Sequence, residues 1–156
     1  MAIMDERTEF ADNASVALAA GTHLIGDQIP LSFARDIGNG QPIYLCITCS
    51  ASILAAAGGT IRFQLASDAT AAIATNGTAS VHLQTKDFVT NVDASNELDT
   101  GDVIYCAPLP LEGEMPYEGF LGILAVIATA AVTAGSINAW LSLTPIGWKP
   151  YPEGQN

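Results

Sequence analysis

Gly119-Phe-Leu-Gly-Ile-Leu-Ala-Val-Ile-Ala-Thr129, followed shortly by Ser136-Ile-Asn-Ala-Trp-Leu-Ser-Leu-Thr144, is the stretch that decides the fold. No charged residue occurs from Gly119 to Trp148, so hydropathy alone would mark a membrane span. The internal pattern says otherwise. The first half is rich in β-branched residues, and the second alternates polar and apolar side chains with the period of a strand. Ala134-Gly135-Ser136 interrupts the run where a turn belongs, and no Lys/Arg cluster flanks it to orient a span. The reading is two strands, paired or sequential, and no membrane partner.

Working outward, the same period recurs. Ile43, Leu45, Ile47 and Cys49 share one face of Pro42–Ser50, and Tyr44, Cys46 and Thr48 the other. Ile61, Phe63 and Leu65 alternate with Arg62 and Gln64; Val81 and Leu83 alternate with Ser80, His82 and Gln84; Val103 to Cys106 precede a proline stop. Turn residues sit in the gaps, at Gly38-Asn39-Gly40, Gly58-Gly59, Asn76-Gly77, Gly101-Asp102 and Glu112-Gly113. Two Ala-rich stretches, Ala51–Ala57 and Ala69–Ala74, read as connections able to form a helical turn. Six or more short strands punctuated this way predict an all-β protein, an antiparallel sandwich or barrel.

The 156 residues suit one domain able to bury a core without disulfides or metals. Residues 1–20 read as an N-terminal arm anchored by Phe10 and Leu18, residues 21–145 as the β-sandwich, and 146–156 as a Pro/aromatic tail. Trp148 and Tyr151 in that tail are expected to pack, either on the protein's own sandwich or on a neighbouring subunit. The start of the chain has no basic and apolar leader, which predicts folding in a cytoplasm, so the sequons at Asn13 and Asn76 read as chance matches.

Charge is sparse and uneven. Sixteen acidic and five basic residues give a net charge of −11, which argues against nucleic acid as a direct partner. Eight of these 21 charges lie in residues 1–36 and six in Lys86–Asp102, leaving bare strands between charged segments. Protein neighbours, rather than water, are expected there.

Chemical motifs are mostly missing. Cys46-Ile-Thr-Cys49 has redox or zinc spacing, yet residues three apart on a strand face opposite ways, so the pair reads as buried or half-buried free thiols. His23 and His82 lack companions at ligand spacing and read as solvated or hydrogen-bonded. The acidic stretch with Asp93, Asn96, Glu97, Asp99 and Asp102 has no EF-hand register; it reads as a solvated loop, with a bound cation as the lesser alternative. No nucleophile elbow, zinc-protease motif or phosphate loop occurs. The expectation is no enzymatic activity, no cofactor and no metal.

Three runs, Arg35-Asp-Ile-Gly-Asn-Gly-Gln-Pro-Ile-Tyr-Leu-Cys-Ile-Thr-Cys49, Ile61-Arg-Phe-Gln-Leu65 and Thr133-Ala-Gly-Ser-Ile-Asn-Ala-Trp-Leu-Ser-Leu143, together with the opening segment Met4–Asn13, resemble the capsid cement proteins of tailed phages. The likeness is to the small family typified by a Bordetella phage cement protein. It implies a jelly-roll β-sandwich that forms a small homo-oligomer on the outside of an icosahedral head and ties neighbouring capsomers of the major capsid protein together. The implied location is the outer capsid surface of the virion. Trp140 lies on the polar face of its strand with Asn138 and Ser142, so it is either an exposed contact anchor or covered within the protein. Phe10, Trp140, Trp148 and Tyr151 are therefore the interface candidates. The alternative is a carbohydrate- or receptor-binding module of a tail structure, using the tryptophans as sugar platforms.

Overall fold

A computed structural model describes residues 6–31, 42–90, 98–110 and 116–144. After a 3-10 turn at Glu6–Thr8, nine strands follow in these residues: β1 Glu9–Ser15, β2 Gly21–Pro30, β3 Tyr44–Ala55, β4 Thr60–Asp68, β5 Ser80–Gln84, β6 Phe88–Val89, β7 Val103–Pro108, β8 Phe120–Ala128 and β9 Val132–Ser142. One sheet runs β1-β9-β3-β7 and the other β2-β8-β4-β5, with the two-residue β6 pairing beside β4; every pairing is antiparallel. With β6 set aside, the other eight strands form two four-stranded sheets in jelly-roll order; the chain changes sheet at every step except β4 to β5, which pair as neighbours.

The inward faces are those the alternation predicts. Leu45, Ile47 and Cys49 of β3, Ile61, Phe63 and Leu65 of β4, and Ile137, Ala139 and Leu141 of β9 are buried in one core between the sheets. Burying large side chains such as Phe63 and Ile61 away from water supplies about 1.5–3 kcal/mol each. The uncharged run does form two strands, and they are sequential: β8 lies in the second sheet and β9 in the first. No helix among the described residues is long and apolar enough to cross a membrane.

Three local expectations are corrected. The break between β8 and β9 falls at Thr129–Ala131, where Thr129 takes a positive φ of 70°, and not at Ala134-Gly135-Ser136. Gly135 instead lies within β9 at φ 125°, where a Cβ would come 2.7 Å from the Cα of Ile53. It is a kink required by close backbone approach. Ala51–Ala55 extends β3 rather than coiling, because pairing with β9 at Ala51↔Ser136, Leu54↔Ala134 and Ala55↔Val132 supplies its hydrogen bonds. Ala69–Ala74 is irregular, and Asp68 holds it: its carboxylate accepts from the Thr70 N–H at 3.1 Å and the Ala74 N–H at 3.0 Å.

The stretch expected as an N-terminal arm contributes a strand. Glu9–Ser15 pairs with β9, and Phe10 is 1% exposed in the core. Phe10, one of the interface candidates, thus packs its ring in the protein's own interior.

Candidate contact surface

The two sheets differ on their outward faces. On the second sheet, Leu24, Ala66 and Leu124 are covered by Ile73 and Ala79 of the segment that follows Asp68. Gly122 makes room for that cover, because a Cβ there would sit 2.5 Å from Ile73 Cδ1. That segment thus covers the apolar part of the sheet's outer face, whereas Arg62, paired with Asp87, stays partly exposed on it.

The outward face of the first sheet is built from three rows that cross the strands. Pro108, Tyr44 and Ser142 form one row; Cys106, Cys46, Trp140 and Glu9 form the next; Val103, Thr48 and Asn138 form the third. Strands β3 and β9 at its centre carry no charged side chain. Trp140, Tyr44, Thr48 and Asn138 are half-buried, Val103 is 49% exposed, and Leu143 just beyond β9 is also 49% exposed. Trp140 therefore stands where the alternation puts it, on the outward face, with Cys46 on one side and Glu9 on the other.

A polar clasp fixes β1 beside this face. Asn13, at φ 50°, donates its N–H to Asn138 Oδ1 at 2.6 Å, and its own Oδ1 accepts from Ser136 Oγ at 2.6 Å and Ser50 Oγ at 3.0 Å. Three strands are joined by one side chain. Nothing in the sequence marks this, because residues 13, 50 and 136 meet only through the sheet order.

The cysteines separate as the alternation predicts. Cys49 is in the core at 2% exposure, whereas Cys46 belongs to the opposite face. Burial, reinforced by the negative charges of Asp102 and Asp99, pushes the Cys49 thiol up to about 12. What the spacing missed is the cross-strand partner. Cys46 lies directly opposite Cys106, with the two sulfurs 2.8 Å apart.

Both histidines are hydrogen-bonded. His23 Nε2 donates to the Ala19 carbonyl at 2.9 Å. His82 Nε2 lies 2.7 Å from Ser67 Oγ, and its ring stacks on Tyr117 with centroids 4.0 Å apart. Ser67 Oγ also accepts from the Glu118 N–H at 3.0 Å. A serine in contact with a histidine resembles a catalytic dyad, but Ser67 is 0% exposed and no substrate can meet it. The cluster joins β4, β5 and the segment leading into β8.

Among the described residues no three His, Cys, Asp or Glu side chains converge as metal ligands. Asp93, Asn96 and Glu97 of the acidic stretch lie outside the described residues, as do Trp148 and Tyr151. Asp99 and Asp102 are tied into a turn against β3: the Asp99 N–H donates to Asp102 Oδ2 at 2.9 Å, and the Cys49 N–H donates to the Asp102 carbonyl at 2.9 Å.

A search of the curated proteins gives no match. The model of the Bbp16 family matches residues 10–141, a span running from β1 to β9 and taking in both sheets. The match covers most of the chain, which therefore belongs to the Bbp16 family, the Bordetella phage protein family, a family of phage structural proteins.

Proposed function

We propose that this protein is a capsid cement protein, which binds the outside of an icosahedral phage head and holds neighbouring capsomers of the major capsid protein together as a small homo-oligomer. The observation that carries this reading is the outward face of the first sheet, uncharged at its centre and bearing Trp140. Large aromatics on an uncharged patch are typical anchors of protein contacts. The second sheet covers the apolar Leu24–Leu124 part of its outer face with its own segment, which supports the first sheet as the face directed to the shell. A net charge of −11 suits a position outside a shell packed with polyanionic DNA. Many copies on one head add their contacts through avidity, so each contact can be weak. The role is structural, without catalysis or cofactor.

The experiment is addition of the purified protein to heads assembled without it. Binding at saturation and a gain in heat resistance of the heads are expected. Trp140→Ala should keep its far-UV circular dichroism and lose at least about 10-fold in head affinity, the effect of one aromatic anchor. Heads that resist heat equally well without the protein overturn the reading. So does binding to glycans with quenched tryptophan fluorescence in place of binding to heads, which would point to a receptor-binding module.

A further inference from the structure

Cys46 and Cys106 are paired directly across β3 and β7, with their sulfurs at 2.8 Å. That is inside the contact distance even of carbon atoms, about 3.5–4.0 Å, and sulfur is the larger atom. Directly opposed residues of an antiparallel pair have Cα atoms about 4.5–5.5 Å apart, within the span of about 4.4–6.8 Å that a disulfide accepts. We propose that this pair is an oxidation site, closed to an intramolecular disulfide by a small-molecule disulfide such as oxidised glutathione once the protein leaves a reducing cytoplasm.

Exposure dictates the order of steps. Cys46 is 0% exposed and cannot meet an oxidant, whereas Cys106 is half-exposed. The Cys106 thiolate attacks one sulfur of the oxidant, forming a mixed disulfide and releasing one thiolate. Cys46 then gives up its proton and attacks the Cys106 sulfur, and the second thiolate leaves. Two protein thiols are oxidised, one small-molecule disulfide is reduced to two thiols, and the protein loses two hydrogens. Cys49 takes no part, because it lies on the opposite face with its thiol pushed up to about 12.

The site has a structural consequence. Among the described residues β7 is an edge strand of the first sheet, hydrogen-bonded there to β3 alone, and the link would tie it across 60 residues of sequence. It lies in the row that carries Trp140, so oxidation would stiffen the outward face. The inference stands independently of what that face binds.

The test treats the purified full chain, first reduced, with oxidised glutathione under native conditions, then unfolds and alkylates it. Expected are a mass two hydrogens lower, a single alkylated cysteine at Cys49, a linked Cys46–Cys106 peptide, and a Tm at least about 5 °C higher that dithiothreitol reverses. Cys106→Ser should fold, take up no glutathione and keep Cys46 reduced. The proposal is overturned by three alkylated cysteines in the native-sequence protein, by a glutathione adduct that persists on Cys106, or by a link involving Cys49. These readouts need no variant and no phage head.

Discussion

The Gly26 backbone of β2 passes directly against the Phe10 carbonyl of β1, so that a Cβ at Gly26 would fall on that oxygen. Gly26 takes a positive φ of 66°, and the β2–β8 register shifts between Ile25 and Ile29 around it. The two strands belong to different sheets. This contact therefore closes one side of the sandwich.

Gly26→Ala should destabilise the protein by about 3 kcal/mol or more, because a left-handed backbone and a clash with main chain coincide. Gly77→Ala is the control. Gly77 has φ 90° but nothing within 4 Å of an added Cβ, so only the conformational cost of about 1–2 kcal/mol applies. Urea unfolding of both variants should separate the two costs.

Asn13→Ala should cost about 1–3 kcal/mol. It leaves the Ser50 and Ser136 hydroxyls without the Asn13 Oδ1 acceptor and removes a residue type that tolerates the positive φ. Hydrogen exchange should show β1 opening more readily in the variant, with the second sheet still protected.

Asp68 predicts an acid limb. Backbone N–H groups of Ala74 and then Thr70 hold its carboxyl below the ordinary carboxylate value. A depressed folded-state pKa contributes stability above the unfolded value of about 3.9, and that stability is lost as pH falls through the folded value. Tm should therefore drop below about pH 4, and Asp68→Asn should flatten that part of the profile. The residues first released should be those covering Leu24 and Leu124, since Asp68 fixes the segment that carries Ile73.

Cys49 predicts an alkaline limb. Its thiol ionises near 8.5 in the unfolded chain and about 12 in the folded one. The thiolate thus accumulates first in the unfolded state, so stability is level below about pH 8.5 and falls as pH rises beyond it. Cys49→Ala should cost stability at neutral pH through a small cavity, yet show a shallower decline between about pH 8.5 and 10. At pH 8, iodoacetamide should leave Cys49 unmodified in the native protein.

The sequence by itself determined which residues face inward on the regular strands. Ile61, Phe63 and Leu65 or Ile137, Ala139 and Leu141 could be assigned because a strand alternates with period two whatever its partner. The same rule separated Cys46 from Cys49 and put Trp140 outward. His82 shows where local pattern stops: the β4–β5 register shifts between Leu65 and Ala66, a bulge that places Leu83 opposite Leu65 but Val81 opposite Ala66. Regular alternation of Val81 with Leu83 fails there, and Val81 is 38% exposed. Only the tertiary structure decided the rest. The turn at Thr129, the kink at Gly135, the strand at Ala51–Ala55, Phe10 in the core, the Asn13 clasp and the Cys46–Cys106 pair all depend on which strand lies beside which. That order is set by burying the faces of two whole sheets against each other, through contacts between residues 60 to 123 positions apart, such as Cys46 with Cys106 and Asn13 with Ser136.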